Sequence, residues 1–447
     1  MDRRELVRAM LASASALLAT KTAYAQNAVA GATRGMKSPL IKDVVCINTA
    51  PEGSRLCVVK IVTDQPGLYG YGCATYTQRA DLVGPAVEKY LKPLLLNHPV
   101  DRIEDTWQMA YDSSYWKNGP VLNNAISGVD QALWDIKGRM ANMPVYQLLG
   151  GKCREAADLY GHAEGAEIEN TIESAKRYIA QGFRHVRIQV GVPGMAGYGS
   201  PRGAQARIPS LHDQPVFERE AAKKRALALF EAARKELGDE IELLHDMHER
   251  YAPPQAVQLC KEAEKFRMFF MEDPLSPEDL EWFQNIRAQC TTPIAMGELF
   301  NSPHEWTPLI KGRLIDFMRM HISQMGGLTP ARKVAAFGEI FGVRTAWHGP
   351  GDVSPIGHMA MVHLDLTCTN FGIQEYTPFN QVSQEVFKGC PEMKGGYLYA
   401  NDRPGWGIEV DEKAAAAHPF RTGVRNGVDL NGGWGELRLP DGQIIKQ

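Results

Sequence analysis

The feature that most constrains the fold is a rhythm that begins near residue 158 and runs to residue 376. Eight short apolar segments recur there, separated by amphipathic stretches of helical length, at 158–163, 185–191, 242–248, 269–273, 293–298, 317–322, 344–349 and 371–376. Strands that alternate with helices form parallel sheets, and eight such units over about 220 residues are typical of a (β/α)8 barrel. The sequence therefore predicts an α/β fold in which residues 151–376 form the barrel.

Every predicted strand ends in ionisable side chains. Burying charged groups is costly, so such endings do not serve a strand's stability. The active site of a (β/α)8 barrel lies at the carboxyl ends of its strands, where these side chains would converge. The set comprises His162, Arg187, Asp246 with His248, Glu272, Glu298, Arg319, His348 and Glu375.

Three of these carboxylates recur at one spacing. Glu272 follows Asp246 by 26 residues, and Glu298 follows Glu272 by another 26. Like charges on adjacent strand ends are tolerated only if a cation lies among them. Oxygen ligands suit a hard octahedral ion, so we predict a site for Mg²⁺ first and Mn²⁺ second, against the alternative of three unrelated solvated carboxylates. Asp273, directly after Glu272, is expected to point to the opposite face as a structural residue.

The rest of the chain predicts a second, capping domain of the α+β class. Between residues 41 and 74 short alternating runs broken by turns predict an antiparallel meander, and helical patterns follow near 80–95, 101–113 and 120–140. We assign residues 37–150 to this domain and expect the loop-rich segment 377–447 to pack on it and on the barrel rim. The long irregular connection at 192–214 predicts a lid or a binding loop.

The first 25 residues predict export rather than a fold element. Arg3 and Arg4 precede an apolar stretch at 9–19 and a small-x-small site at 23–25, the layout of a signal peptide. The paired arginines resemble the twin-arginine type, although Asp2 stands before them, and a periplasmic location is expected. The alternative is an amphipathic tail on a cytoplasmic protein. The eight cysteines lack metal-type spacing and are expected to be free thiols, most of them buried.

Charge and hydropathy limit the classes of partner. The formal net charge is −3, which gives no sign of a basic surface for binding nucleic acid or an anionic membrane. Beyond the first 25 residues no apolar run approaches the roughly 18 residues of a membrane span. We therefore expect a small-molecule substrate, neither nucleic acid nor membrane as a partner, and assembly as a homo-oligomer.

Several motifs together resemble the enolase superfamily. The segments His245-Asp246-Met247-His248, Met271-Glu272-Asp273-Pro274 and Gly297-Glu298 fall on successive predicted strands, and the resemblance extends from about residue 40 to the C-terminus. Further motifs resemble the mannonate dehydratase branch of that superfamily, namely Tyr160-Gly161-His162-Ala163, Arg187-x-Gln189, Val192-Pro193-Gly194, His348-Gly349 and Gly372-Ile373-Gln374-Glu375-Tyr376. This branch dehydrates sugar acids to 2-keto-3-deoxy acids with Mg²⁺, so the resemblance implies an aldonate dehydratase, with D-mannonate or D-gluconate favoured.

The resemblance also implies catalytic roles. The proton next to the substrate carboxylate is very weakly acidic, and Mg²⁺ on that carboxylate would stabilise the ene-diolate as it forms. Tyr198 is implied as the base, with Arg187 beside it to favour the phenolate. His248 is the acid candidate that helps the β-hydroxyl leave, because it shares a strand face with Asp246. The alternatives are a lid aromatic for Tyr198 and a structural histidine for His248.

The remaining candidates concern substrate binding. By resemblance, the hydroxyl and carboxylate oxygens of the substrate would be held by His162, Arg319, His348, Asp352 and Glu375. Capping of the helix that starts at Ser354-Pro355 is the alternative role for Asp352. Thr77 stands where the resemblance places a substrate-contacting asparagine, and Pro350 replaces a small residue. These departures leave open D-gluconate or another aldonate, slow turnover, a racemase or epimerase, and a non-catalytic sugar-acid binder or sensor.

Overall fold

The computed structural model describes residues 38–51, 53–192, 216–420, 424–425, 428–429 and 437–445. Leu40–Gln447 form one compact unit, whereas the unit Met1–Pro39 lies almost entirely outside the described residues. The predicted signal peptide, most of the predicted lid and Tyr198 are likewise outside them. Among the described residues, no helix is both long and apolar enough to cross a membrane.

The capping domain begins with the predicted antiparallel meander. Strands β1 (Ile41–Thr49), β2 (Leu56–Thr63) and β3 (Tyr69–Cys73) pair in that order. The helices that follow confirm the predicted stretches: α1 (Ala80–Ala86), a π-helical turn at Val87–Leu91, α2 (Lys92–Leu95), α3 (Ile103–Asp112), α4 (Pro120–Ala141) and α5 (Val145–Leu148).

Helix α4 packs directly on the meander because two glycines of β3 have no side chain. A Cβ on Gly72 would lie 2.0 Å from the carbonyl oxygen of Gly128, and a Cβ on Gly70 would lie 2.4 Å from that of Ala132. Buried apolar side chains of the meander and of the helices, such as Val59 and Leu133, fill the layer between them. The close approach fixes the meander, and with it the loop that follows β3.

The predicted eight-stranded barrel is confirmed. Its strands are β4 (Ala157–Gly165), β5 (His185–Val190), β6 (Glu242–Asp246), β7 (Phe270–Glu272), β8 (Ile294–Met296), β9 (Phe317–Met318), β10 (Arg344–Thr345) and β11 (Gln374–Glu375). Neighbours pair in parallel in chain order, β11 pairs with β4, and a bridge from Thr345 to Phe371 joins the last two strands. The sheet therefore closes on itself.

Helices surround the barrel on its outer face. They are α6 (Ile168–Ala180), α7 (Arg219–Leu237), α8 (Pro253–Ala263), α9 (Phe283–Gln289), α10 (Pro303–Lys311), α11 (Leu328–Phe341) and α12 (Pro355–Thr367). Short 3₁₀ segments lie at Thr77–Arg79, Glu264–Phe266 and Pro277–Trp282. Inside the barrel, one cluster of buried apolar side chains comes from several strands, with Tyr160, Leu244, Phe270 and Phe317 among its members. The barrel interior is thus a packed core, and the site lies above it.

The C-terminal part contacts both the capping sheet and the barrel. Its elements are α13 (Gln381–Val386), β12 (Phe387–Lys388), β13 (Glu392–Lys394), β14 (Tyr397–Tyr399), β15 (Glu409–Val410), α14 (Glu412–Ala416), β16 (Val424–Arg425), β17 (Val428–Asp429), β18 (Leu437–Arg438) and β19 (Ile444–Ile445). Tyr397 of β14 pairs antiparallel with Asp158 of β4. The Thr49 hydroxyl of β1 donates to the Ala415 carbonyl at 3.0 Å.

Candidate active site

A cavity of about 750 Å³ lies at the carboxyl ends of the barrel strands. Nine of the twelve predicted site residues line it: Thr77, His162, Arg187, His248, Glu298, Arg319, His348, Asp352 and Glu375. Asp246 and Glu272 end strands β6 and β7 and lie buried beside it. The twelfth, Tyr198, is outside the described residues.

Arg319 is the centre of the ion-pair network in the site. Its Nη2 lies 2.9 Å from Glu272 Oε1 and 2.5 Å from Glu375 Oε2, and its Nη1 contacts Glu298. Its Nε donates to the hydroxyl of Tyr160 at 3.1 Å. Burial alone would lower the pKa of this guanidinium, but Glu272 and Glu375 hold it well above its usual value. Arg319 is therefore a permanent buried cation.

Arg187 supplies a second buried cation from β5. Its Nη1 lies 3.0 Å from Glu272 Oε1, 3.3 Å from Asp246 Oδ2 and 3.5 Å from Glu375 Oε1. Two guanidinium groups thus face carboxylates that come from several strands. This arrangement compensates for part of the desolvation cost of ionised carboxylates.

The carboxylates nearest to one another fit a divalent cation. Oxygen atoms of Asp246, Glu272 and Asp273 all lie within 4.8 Å of one another, and all three residues are buried. A cluster of carboxylate oxygens is the donor set that Mg²⁺ prefers. Glu298 faces the same cavity, where Arg319 and His348 contact its carboxylate.

The expectation that Asp273 points away from the site is wrong. Asp273 has a φ of 40°, in the left-handed region, so the chain has left the extended conformation on which side-chain alternation depends. Its Oδ1 accepts from the backbone N–H of Gly297 at 3.2 Å, and Arg319 Nη1 lies 3.4 Å from its Oδ2. Asp273 is thus part of the cluster.

Crowding divides these acids into two groups. Burial raises the pKa of Glu272 and of Asp273 well above the usual values. Burial would also raise the pKa of Asp246, but His248 and Arg187 lower it below its usual value. For Glu298, burial acts in the same way, but His348 and Arg319 lower the pKa well below its usual value. Without a cation the cluster therefore favours protons on some carboxyl groups, as expected when like charges share a site.

His348 bridges two acids. Its Nδ1 lies 3.0 Å from Glu298 Oε2 and its Nε2 lies 3.2 Å from Asp352 Oδ1. Burial would lower the pKa of His348, but Glu298 and Asp352 raise it well above its usual value, so the ring is an imidazolium. Asp352 does not cap the following helix, because Ser354 is the N-cap and accepts from Gly357.

The other two predicted site histidines, His162 and His248, are neutral at pH 7. His162 Nε2 lies 2.8 Å from Glu375 Oε1, and burial together with Arg187 lowers the pKa of His162 to about 4. Burial and the charge of Arg250 lower the pKa of His248 to about 4. β6 ends at Asp246, and His248 has a φ of 50°. A left-handed turn, not strand alternation, therefore directs His248 into the cavity.

Sequence reasoning missed several residues of the site, among them His321 and Tyr160. His321 is buried and its ring stacks on that of His348, with centroids 5.1 Å apart. Its Nδ1 accepts from the backbone N–H of Ser323 at 3.1 Å, which assigns the ring proton to Nε2. Tyr160 donates to Glu272 Oε2 at 3.3 Å. Both lie two residues from a predicted site residue, Arg319 and His162 respectively, and that spacing was the available signal.

Two families match most of the chain. Residues 34–150 match the family described as "Mandelate racemase / muconate lactonizing enzyme, N-terminal domain", and residues 170–414 match "Enolase C-terminal domain-like". A "D-galactonate dehydratase family member" of Enterococcus gallinarum is 47% identical over 91% of this chain and 98% of its own. "D-galactonate dehydratase family member RspA" of Pantoea ananatis is 49% identical over 92% of this chain and 99% of its own.

A solved structure is similar over nearly the same span. It is that of an enolase from Pantoea ananatis with bound D-gluconate and Mg. The TM-score is 0.86 at 48% identity, and the match covers 92% of this chain and all of that one. The similarity therefore includes both the capping domain and the barrel.

Proposed function

Since the chain belongs to the enolase superfamily, as a sugar-acid dehydratase of its D-galactonate dehydratase family, we propose that it catalyses Mg²⁺-dependent dehydration of a six-carbon aldonic acid. D-gluconate and D-mannonate are the favoured substrates, and the product is a 2-keto-3-deoxy acid. The observation that carries the proposal is the buried cluster of carboxylates beside Arg319 and His248, at the floor of a cavity with room for a sugar acid.

Asp246, Glu272 and Glu298 would hold the cation in this proposal, and their oxygen donors suit it. Bound Mg²⁺ would supply Lewis-acid stabilisation of negative charge on the substrate carboxylate. Glu298 can contribute because its pKa lies well below the usual value, so it is ionised. Asp273, which the structure adds to the cluster, is a weaker candidate for the third ligand because its two oxygens already contact the Gly297 N–H and Arg319.

The base in this proposal is Tyr198, which follows β5 in the chain. It would take the proton next to the substrate carboxylate. A phenol with its usual pKa of about 10 needs a cation nearby to act as a base near neutral pH. Arg187, on β5, is a buried guanidinium whose side chain lines the cavity, which supports this role.

His248 would deliver the proton to the departing β-hydroxyl from its ring. In the ligand-free protein its pKa of about 4 leaves it neutral at pH 7. An anionic substrate beside the ring would raise that pKa, so that His248 would take up a proton. His248 Nε2 lies 3.9 Å from Glu298 Oε1, which supports a position next to the substrate carboxylate.

His162, Arg319, His348, Asp352 and Glu375 would bind the oxygens of the substrate. They line the cavity with charged and hydrogen-bonding groups, which suits a polyhydroxylated anion. Thr77 would contact the substrate from the capping domain. Arg55 Nη2 donates to the Thr77 carbonyl oxygen at 2.7 Å and so holds this residue in place. A threonine has one O–H group that must both donate and accept, whereas an amide has its two N–H donors and its acceptor oxygen on separate atoms, so the departure at Thr77 supports altered substrate preference. D-gluconate is the ligand of the solved relative.

A panel assay tests the proposal. The purified protein with Mg²⁺ is incubated in D₂O with D-gluconate, D-mannonate, D-galactonate and aldaric acids, and 2-keto-3-deoxy acid and deuterium exchange are followed by NMR. Formation of keto acid from an aldonate supports the proposal. Exchange next to the carboxylate without loss of water would identify a racemase or epimerase, and binding without either change would identify a sugar-acid binder.

We also propose how the chain is organised. Residues 1–25 would direct export to the periplasm by the twin-arginine route, and 37–150, 151–376 and 377–447 would be the capping domain, the barrel and the C-terminal segment. The protein would form a homo-oligomer, which the exposed side chains of Tyr115 (91%) and Trp116 (81%) support. Cell fractionation with intact mass tests export, and light scattering tests assembly.

A further inference from the structure

Two thiols lie side by side on the first two strands of the capping sheet. Cys46 of β1 pairs in register with Val59 of β2, and Cys57 pairs with Asn48. The two cysteines are thus diagonal neighbours on one face of the sheet. Their Sγ atoms lie 3.0 Å apart, and a disulfide bond joins sulfurs at about 2.0 Å. The sulfurs would therefore have to approach by about 1 Å, with a small movement of the two strands, because diagonal neighbours usually lie about 7–8 Å apart.

We propose that Cys46 and Cys57 form an intramolecular disulfide across β1 and β2 when the protein meets a small-molecule or protein disulfide. Both residues carry free thiols in the structure. The bond would close a short loop that contains the turn between the two strands. The proposal does not depend on the substrate or on the metal.

The two thiols differ in access, which orders the reaction. Cys46 is half-buried, whereas Cys57 is fully buried. The Cys46 thiolate would attack the oxidant disulfide, form a mixed disulfide and release one thiol. The Cys57 thiol would then lose its proton, attack Cys46 Sγ and displace the second thiol. Two protein thiols are oxidised, and one disulfide is reduced to two thiols.

The second step should be slow near neutral pH. The hydrogen bond with Cys46 and burial raise the pKa of the Cys57 thiol well above its usual value. Since the thiolate is the attacking species, closure should accelerate as the pH rises.

Cys57 also holds the loop that carries Thr77 into the cavity. Its carbonyl accepts from the backbone N–H of Ala74 at 2.8 Å, and its N–H donates to Thr75 Oγ1 at 3.1 Å. The disulfide would therefore restrain the strand to which this loop is bonded. Its first effect is on the stability of the capping sheet.

Peptide mapping tests the bond directly. The full chain is reduced, freed of reductant, incubated with excess oxidised glutathione, alkylated and digested with trypsin. Trypsin cleaves after Lys42, Arg55 and Lys60, so the disulfide would link peptides 43–55 and 56–60. We expect this linked pair, and its loss on reduction. Full alkylation of both cysteines, or glutathione on Cys46 without the linked pair, would overturn the proposal.

Thermal melting provides a second readout. Oxidation should raise the melting temperature by about 2–5 °C. Cys46→Ser and Cys57→Ser should abolish that shift, whereas Cys153→Ser, which removes an exposed thiol elsewhere, should keep it. If Cys57→Ser fails to fold, Cys46→Ser at the half-buried position carries the test. An equal shift in Cys46→Ser and in the unmutated chain would overturn the proposal.

Discussion

Arg319 links carboxylates that are far apart in the sequence. Its guanidinium contacts Glu272, Asp273, Glu298 and Glu375, although it is itself fully buried. A buried cation of this kind serves as the counter-charge for acids that could not otherwise all ionise. The assigned roles of the carboxylates therefore have to be tested one residue at a time.

Glu298→Gln should abolish both Mg²⁺ binding and turnover. The substitution keeps the size of the side chain but removes the negative charge that the low pKa of Glu298 maintains. Calorimetric titration with Mg²⁺ and the keto-acid assay measure the two effects. A variant that still turned over would show that Glu298 is not a ligand.

Asp273→Asn is the matched control for that experiment. Asparagine keeps a carbonyl oxygen for the N–H of Gly297, and the substitution leaves the three proposed ligands unchanged. We expect Mg²⁺ affinity to fall by no more than a few-fold. Loss of binding here with retention in Glu298→Gln would exchange the roles of the two acids.

His248→Asn should separate metal binding from chemistry. Asparagine cannot deliver a proton to the leaving hydroxyl, and loss of a general acid costs about 10²–10⁴-fold in rate. Mg²⁺ affinity should remain, because the backbone N–H of residue 248 still donates to Asp246 Oδ1 at 2.7 Å. Single-turnover rates and titration calorimetry check the two parts, and an unchanged rate would reject His248 as the acid.

At the scale of elements, the sequence predicted all eight barrel strands but overstated the lengths of all except the first, β4. The predicted segment 293–298 corresponds to Ile294–Met296, and 344–349 to Arg344–Thr345. Apolar side chains continue past the end of the ladder, but the backbone turns away, as at Gly297 with its φ of 140°. Such a change in φ leaves no trace in hydrophobic periodicity.

The limits of hydrophobic periodicity also explain which site residues could be predicted from the sequence and which could not. Residues at or beside strand ends, such as Asp246 and Glu298, could be predicted to converge because closure of the barrel brings strand ends together. Asp273 could not, because its position depends on a left-handed turn. For His321 the only signal was its spacing from Arg319, and its place in the site depends on ring stacking between two loops. Alternation is a rule for strands and does not extend into the loops.

Asp135 joins three elements of the capping region, and Asp135→Ala should destabilise the fold by about 3 kcal/mol. Its carboxylate accepts from the backbone N–H of Tyr71 at 2.9 Å and of Trp406 at 2.8 Å, and from Arg139 Nε at 3.1 Å. Truncation leaves the two buried backbone N–H groups without this partner, whereas Arg139 keeps its contacts with Glu409 and the Ile408 carbonyl.

Thermal and urea denaturation measure the loss at Asp135. Asp112→Ala is the control, because it removes a carboxylate that pairs with Lys117 at the surface and should leave the melting temperature unchanged. Equal effects of the two substitutions would contradict the role given to Asp135.

At the scale of the whole molecule, the buried histidines should lower stability as the pH falls from about 6.5 to about 4. Burial lowers the pKa of His162, His185, His245, His248, His321 and His358 to about 4, and that of His363 to about 3. The unfolded chain binds protons near pH 6.5, where the folded protein does not, so acid favours unfolding in this window.

Buried acids act in the opposite direction, among them Glu272, Asp273 and Asp365, whose pKa burial raises well above the usual value. Burial raises the pKa of Asp130 to about 7 and that of Asp135 to about 6. Their contribution to stability is complete below about pH 4 and is lost as the pH rises through those values. Each of the seven histidines therefore adds to the loss of stability in acid, whereas each of these acids reduces it.

Melting temperatures measured across pH 4–7 check the sign of each contribution. His363→Gln, which keeps an acceptor for the Tyr146 N–H but cannot titrate, should reduce the loss of stability in acid. Asp130→Asn should increase that loss. The opposite ordering of the two variants would show that the buried histidines do not set the acid response.

The closure of the barrel has a consequence for biosynthesis. Strand β4 begins at residue 157, yet its second barrel neighbour β11 ends at residue 375, and the C-terminal strand β14 that also joins it ends at residue 399. The ribosome must therefore synthesise most of the chain before β4 can pair with β11 and β14. Until then the nascent barrel has an open edge, and chaperones that shield such edges should bind the growing polypeptide rather than the finished protein.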